Sequence, residues 1–332
     1  MMLFRSLLPL ADTPENRDFL RVIYRRWRME SCVISATVND AEFSTLTHPL
    51  SIKAAWGGRV RFLLDRRTVA VDDDNYLITN DGREYASACH SRETVRAVSI
   101  FFAPSLAESA LGAMLTAEDH ILDRGIGATS STVEFAEQLH PHDRVVTPLL
   151  RYISSQVDSG LEDDMWFEQQ LDFLLERMLC AHRRMLATIS SLARMRRTTR
   201  REIVRRIAWS TDFINTYYMR PLTIGDLANS ALLSQFHFIR LFHAVHGVTP
   251  FVYLQRKRAT VAQRLLLTTD LGQSEIAARA GFASTATLAR QLRRLTGAGA
   301  RGLRRNARLP VDRSPGVHQL AEDARAPVSR SS

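Results

Sequence analysis

The stretch Leu227-Ala228-Asn229-Ser230-Ala231-Leu232-Leu233-Ser234-Gln235-Phe236-His237-Phe238-Ile239-Arg240-Leu241-Phe242 decides the reading of this chain, because residues 276–292 write its pattern a second time. Leu227-Ala228, Ala231, Leu233-Ser234, Phe238, Arg240 and Phe242 are answered by Ile276-Ala277, Ala280, Phe282, Ser284, Leu288, Arg290 and Leu292. The copies are offset by 49 residues before the turn (Leu227 to Ile276) and by 50 after it (Ser234 to Ser284), so the second turn carries one extra residue. In each copy the apolar positions pack a short helix against a second helix. The Ser can cap that second helix by accepting a backbone N–H, and an Arg projects from it. Core helices of any bundle show apolar spacing. Cap, core and Arg in one order, twice, point instead to paired helix-turn-helix units with a nucleic-acid partner.

Working outward, a helix over Ile203–Tyr218 with Trp209, Phe213 and Ile214 as core candidates is stopped by Arg220-Pro221. Thr223 then caps the next helix, with Asp226 as its capping-box partner. The first recognition helix is expected from Gln235 to Val245. It turns Phe238, Leu241 and Phe242 inward and Gln235, Phe236, Ile239, Arg240 and His243 outward. Arg can grip guanine O6/N7 or a phosphate, and Ile239 or Phe236 can touch a thymine methyl. Exposed Phe and Ile beside Arg suit a desolvated groove better than open water. His237, His243 and His246 do not fall on one helix face, so packing and phosphate contact are preferred to metal binding. Thr249-Pro250 starts a further helix with Phe251, Leu254, Val261, Ala262, Leu265 and Leu266 as its core stripe and Arg256, Lys257 and Arg258 on its outer side. Its roughly 18 residues would span about 27 Å, enough to hold two recognition helices about one DNA turn, roughly 34 Å, apart. In the second unit Gly272 takes the cap position and Glu275 follows at N3. The second recognition helix, Thr285 to Leu295, presents Thr285, Ala286, Ala289, Arg290, Arg293 and Arg294. Its small Thr and Ala leave little side chain for bases, so this unit is expected to serve affinity more than sequence choice.

Charge divides the chain in the same place. Residues 1–192 carry 20 Lys/Arg against 27 Asp/Glu, whereas residues 193–308 carry 21 against 5. A segment so basic repels itself unless it faces an anion, and nucleic-acid phosphate is the usual one. Of the 44 basic residues 42 are Arg, a bias that acts on both halves and leaves their asymmetry standing. The 332 residues suffice for two domains. No apolar run approaches the roughly 18 residues of a membrane span, and Met1–Leu10 lacks the basic start of a secretory signal. Cys32, Cys89 and Cys180 are odd in number and far apart, as expected of free thiols in a reducing compartment. The expected location is the cytoplasm.

From 30 to 103 the period changes to two. Strands are expected at Cys32–Val38, Ser51–Trp56, Val60–Leu64, Thr68–Val71, Tyr76–Thr79 and Thr94–Phe102, separated by Gly57-Gly58, Asp72–Asn75 and Asp81-Gly82. They suggest a small antiparallel β-barrel, cupin-like, able to hold a small ligand in its mouth. A metal enzyme of cupin type would need clustered His and carboxylates; His48 and His90 alone, forty-two residues apart, do not supply them. The run His140-Pro141-His142-Asp143 is expected in a solvated loop, with Asp143 capping the next helix. Helices follow at Ser105–Leu115, Asp143–Val157 (with Pro148 as a kink) and Glu162–Leu192, whose apolar stripe suits core or a two-fold partner. Residues 15–29 take no assignment. Arg194–Arg201 is basic and aperiodic, as a linker is.

Residues 203–305 resemble the DNA-binding domain of the AraC/XylS family of bacterial transcription regulators. The resemblance is carried by Pro221-Leu222-Thr223, Asp226-Leu227-Ala228, Leu233-Ser234, His237-Phe238, Arg240-Leu241-Phe242, Gly247-Val248-Thr249-Pro250, Arg264-Leu265-Leu266, Ile276-Ala277, Gly281-Phe282 and Arg290. It implies a seven-helix domain whose two units enter adjacent major-groove segments, with Arg240, Arg290, Phe236, Ile239, Thr285 and Ala286 at DNA-contacting positions. Far more loosely, the preceding part resembles that family's effector-sensing and dimerising half. Two departures stand out: Leu232 occupies a turn position where Gly is common, and Thr296, Ala300 and Leu303 replace an aromatic, a Pro and an aromatic. The expected fold is thus α+β: a sensing and dimerising domain over 1–192 (barrel 30–103, helices 104–192), a linker over 193–202, an all-α double helix-turn-helix domain over 203–308 and a disordered tail over 309–332. The expected function is sequence-specific regulation of transcription, without catalytic residues, metal or cofactor. The expected partners are double-stranded promoter or operator DNA, RNA polymerase, a small-molecule effector and a second copy of the chain, and no membrane. A cupin-type metal enzyme tethered by a basic domain, and a nucleoid-type binder without sequence choice, are the alternatives.

Overall fold

Two long strands organise the N-terminal part. In the computed structural model, which describes residues 1–5, 26, 29–122, 133–191, 197–300 and 302–304, β2 (Cys32–His48) and β7 (Arg83–Phe101) pair antiparallel along nearly their whole length. Register shifts fall between Val38 and Asp40 and between Phe43 and Leu46. Sequence periodicity predicts only Cys32–Val38 and Thr94–Phe102 of this pair. The remaining halves are rich in Ser, Thr and charge, lack apolar alternation, and are held by the backbone ladder. On the other edge of β7, β3 (Ser51–Trp56) pairs with residues 96–101 and β4 (Val60–Leu64) with residues 85–88. β5 (Arg67–Val71) pairs with β4, β6 (Asn75–Thr79) joins β3 to β8 (Leu139–Pro141), and β1 (Met2–Phe4) adds a parallel edge beside β2.

The order β1-β2-β7-β3-β6-β8 begins and ends on different strands, so the sheet is open and the expected closed barrel is not formed. One reason lies at β5. Its Ala70 N–H donates to the Thr216 hydroxyl of a helix, at 3.1 Å, where closure would require a strand. The His140 run is likewise not a solvated loop. Leu139–Pro141 is strand β8, His140 stacks on Tyr76 at 5.3 Å between ring centroids, and His142 stacks on Trp56 at 6.0 Å. Asp143 accepts from the N–H groups of Val145 and Val146, turning the chain into α2 (Thr147–Asp158). Pro148 sits in the first turn of that helix, where its missing N–H is harmless, so it starts the helix and does not kink it.

α1 (Leu106–Leu122), α2 and α3 (Asp164–Ser191) cover one face of the sheet. Ile52, Ala54, Ile78 and Ile100 meet Leu150, Ile153, Val157, Phe167, Leu171, Leu174 and Met178 there, all buried. The opposite face gathers Ala55, Phe62, Leu64, Val69, Leu77 and Tyr85. Among the described residues no helix is long and apolar enough to cross a membrane.

α4 (Arg197–Tyr217) begins inside the segment expected to be an aperiodic linker; residues 197–202 are its opening turns. Arg194–Arg196, the tail over 309–332 and most of 15–29 lie outside the described residues. One side of α4 lies against β5 and β8. Asp212 accepts from Leu139 N–H at 2.9 Å and from Arg67 at 3.4 Å, and Arg59 donates to the Thr216 carbonyl at 3.2 Å. The other side holds α5 (Ile224–Ser230) and α6 (Gln235–His246), beyond which α7 (Pro250–Thr268) begins.

By its contacts the chain divides at Leu254, into Met1–Leu254 and Gln255–Ser332. The second unit contains most of α7, α8 (Gln273–Arg279), α9 (Thr285–Thr296) and a last helical stretch at 302–304. Val261, Ala262, Leu266, Ile276, Ala277, Ala280, Phe282, Leu288, Leu292 and Ala300 are buried. Two expectations for α7 fail. Phe251 is 63% exposed, and Arg258 is buried. Arg258 lies four residues from both Leu254 and Ala262, on the inner stripe.

Candidate nucleic-acid interface

Each expected recognition helix is built by its turn. Thr223 and Asp226 form the expected reciprocal capping box on α5: the Thr223 hydroxyl accepts from Asp226 N–H at 3.2 Å, and the Asp226 carboxylate accepts from Thr223 N–H at 2.9 Å. Those bonds hold the Asp226 carboxyl below its usual range. The chain then turns at Leu232, whose φ of 53° is left-handed; the position 49 residues on is Gly281, with φ of 78°. Ser234 stands at the N-cap of α6 without a side-chain capping bond, contrary to expectation, whereas Ser284 caps α9 by accepting from Thr287 N–H at 3.2 Å. Both helices end on a left-handed glycine, Gly247 and Gly297.

Phe238 and Phe242 of α6 are buried, edge to face at 5.4 Å. Leu241 is half-buried. Gln235, Phe236, Ile239, Arg240 and His243 are all exposed, Phe236 at 79% and Ile239 at 40%. α9 buries Leu288 and Leu292 and exposes Thr285, Ala286, Arg290, Arg293 and Arg294; Ala289 is half-buried, at the rim of that face. The acids of the basic half are mostly engaged elsewhere. Glu202 pairs with Arg205 and Arg206, Asp212 with Arg67, Asp226 with Thr223, and Glu275 with Arg279. Each helix therefore presents guanidinium groups, and α6 adds exposed apolar side chains.

The histidines separate. His246 lies between Phe242 (4.4 Å) and Tyr253 (5.0 Å), with Nε2 against the Thr211 hydroxyl at 2.9 Å. Burial pushes it down to about 4, so it packs as a neutral ring. Among the described residues no three His, Cys, Asp or Glu side chains group as a metal site.

Sequence reasoning missed the residues that hold the first unit in place. Ser210 donates to the Leu227 carbonyl at 2.9 Å, Arg206 donates to the Leu232 carbonyl at 3.1 Å, and Thr211 meets His246. A polar pair, Ser210-Thr211, inside an otherwise apolar stretch of helix was the available signal. So was Asp212 beside it, buried among hydrophobic groups.

A family model described as "Helix-turn-helix domain" matches residues 227–306. The probable transcriptional regulator LumQ of Photobacterium leiognathi is 30% identical over 86 residues, 26% of this chain and 35% of that protein. The chain thus matches about a third of this relative's length. Among solved structures, the DNA-binding domain of AdpA in complex with a target DNA is 28% identical, covering 34% of this chain and 98% of that one, with a TM-score of 0.30. A probable AraC family transcriptional regulator from Rhodopseudomonas palustris CGA009 is 25% identical over 31% of this chain and 97% of that one, with a TM-score of 0.29.

Proposed function

We propose that this chain, which its double helix-turn-helix half places in the AraC/XylS family of transcriptional regulators, is a sequence-specific, cytoplasmic regulator and not an enzyme. The observation that carries the reading is the outer face of α6, where Arg240, Phe236 and Ile239 are exposed together, with Gln235 and His243 beside them. Large apolar side chains in that company gain by burial against a desolvated surface, and a major-groove wall with its thymine methyls provides one. Thr285, Ala286, Ala289, Arg290, Arg293 and Arg294 form the second, more electrostatic, contact. Double-stranded operator DNA is the partner, and RNA polymerase and a second copy of the chain complete the assembly.

Modulation by the N-terminal half is part of the reading, and α4 supports it. One helix carries Asp212 and Thr216 against the sheet and Ser210, Thr211 and Arg206 against the first helix-turn-helix unit. A small effector that changes the shape of the sheet would therefore reach the DNA-reading helix through one rigid element.

The test begins with the bound sites, selected from genomic fragments by the purified protein. Arg240→Ala should then lower affinity for the selected site by roughly 1–3 kcal/mol while changing random-duplex affinity far less. Equal losses on both would leave Arg240 a phosphate contact and favour a binder without sequence choice.

A further inference from the structure

The turn that aims α6 is made by a residue poorly suited to it. Leu232 holds a left-handed φ of 53°, and Gly281, at the matching position of the second unit, holds 78°. A Cβ in that region crowds the backbone, so a Leu prefers other conformations and a Gly adopts this one freely. The Leu232 side chain is 65% exposed and does not anchor the turn. Leu232 N–H and Leu233 N–H donate back to the Asn229 and Ala228 carbonyls of α5, both at 3.0 Å, which ties the turn to α5 but not to the rest of the protein. The first turn therefore needs a support that the second does without.

α4 supplies that support. Arg206 Nη1 donates to the Leu232 carbonyl at 3.1 Å, across 26 residues of sequence. The same guanidinium donates through Nε to one oxygen of the Glu202 carboxylate at 2.8 Å, and the other oxygen accepts from Arg205 at 2.5 Å. Two bonds in different directions from one planar fork fix the tilt of the guanidinium as well as its place, which the point charge of a lysine would not. Glu202 and Arg206 stand one turn apart on α4. The arm is thus rooted in a long helix and reaches out to a loop.

We propose that Arg206, oriented by Glu202, is a positioning residue for sequence choice: by holding the Leu232 carbonyl it keeps the turn left-handed and sets the angle at which α6 presents Gln235, Phe236, Ile239 and Arg240. The inference rests on the DNA reading of α6 given above. Hydrogen bonds to base edges demand closer placement than attraction to phosphates, which any nearby cation supplies. Losing the arm therefore lowers the preference for a cognate site and leaves general attraction to duplex DNA in place.

The test measures full-length protein on its selected site and on a random duplex, over a series of salt concentrations. Arg206→Ala should lower the ratio of the two affinities roughly three- to tenfold, the usual worth of one hydrogen bond, with the salt slope unchanged. Glu202→Ala should lower the same ratio, although removing an acid strengthens attraction to every duplex. In a Leu232→Gly background, where the turn residue is at ease left-handed, Arg206→Ala should lower the ratio much less. A ratio unmoved in both single variants overturns the proposal, as does the same loss with and without Leu232→Gly. Equal losses on both duplexes, with the salt slope flatter by about 0.9, make Arg206 a phosphate contact and overturn it too. Hydrogen exchange gives a readout without DNA: the Leu232 and Leu233 amides should exchange faster in Arg206→Ala protein of unchanged circular dichroism. Unchanged exchange overturns the proposal by itself. Faster exchange in a chain for which no site can be selected overturns the DNA reading of α6 while supporting the arm's hold on the turn.

Discussion

Leu232 holds a φ of 53° at the turn of the first helix-turn-helix unit, with its side chain 65% exposed. A branched residue in the left-handed region is strained by its Cβ against the backbone, and nothing in its exposed setting rewards the side chain. Leu232→Gly should therefore raise stability by about 0.5–1 kcal/mol, the relief outweighing the entropy that glycine adds to the unfolded chain, as read by thermal or denaturant unfolding. A loss would mean that the Leu232 side chain makes a contact worth more than the strain. The departure from a turn glycine was legible in the sequence, and its backbone consequence is now visible. Arg258 was not legible. Helical phase places it on the inner stripe, but charge argued for the outer one, and phase won.

At the scale of elements, the two recognition helices differ in how they start. Ser284→Ala should cost about 1 kcal/mol, the usual worth of an N-cap bond, whereas Ser234→Ala should cost much less because that hydroxyl makes no capping bond. Equal losses in denaturant unfolding would show that Ser234 caps after all. The contact of α4 with the sheet carries a pH signature. Burial pushes the Asp212 carboxyl from 3.8 up to about 7, against the opposing pulls of Leu139 N–H and Arg67. Between those values the folded chain holds a proton that the unfolded chain has released. This contribution is full below about 4 and is lost as pH rises through 7. Asp212→Asn keeps an acceptor for Leu139 but does not titrate. Relative to that variant, the wild-type melting temperature should fall as pH is raised from 5 to 8; subtracting the variant removes the opposite tendency of buried His140 and His246, which both curves share. A difference constant over that range would place the Asp212 titration elsewhere. Helices from 203 onward were readable to within a few residues because their apolar period is local. The outer halves of β2 and β7, the edge strands β1 and β8, and the docking of α4 were not, since backbone ladders and tertiary bonds between residues far apart in sequence leave no periodic mark.

Over the whole molecule, the charge asymmetry predicts how binding responds to salt. Each phosphate neutralised contributes roughly −0.9 to the slope of log affinity against log salt. Arg293→Ala with Arg294→Ala should therefore flatten that slope by about 2 and weaken binding to all duplexes alike. A sequence-dependent loss would instead assign these side chains to base edges. The same acid-poor composition that announced a polyanionic partner could not announce the open sheet, because alternation of apolar residues is shared by barrels and by sheets whose last edge meets a helix.

The docked side of α4 also sets Trp209 against the guanidinium groups of both Arg67 and Arg205, at 4.9 and 5.1 Å from its ring. Arg67 belongs to the sheet and Arg205 to the helix itself, so parting the two would strip one cation from the indole and admit water in its place. With the other three tryptophans, Trp27, Trp56 and Trp166, changed to Phe, the colour of the remaining emission becomes a gauge of that separation. The molecule carries its own optical strain meter at the joint where a signal would have to pass.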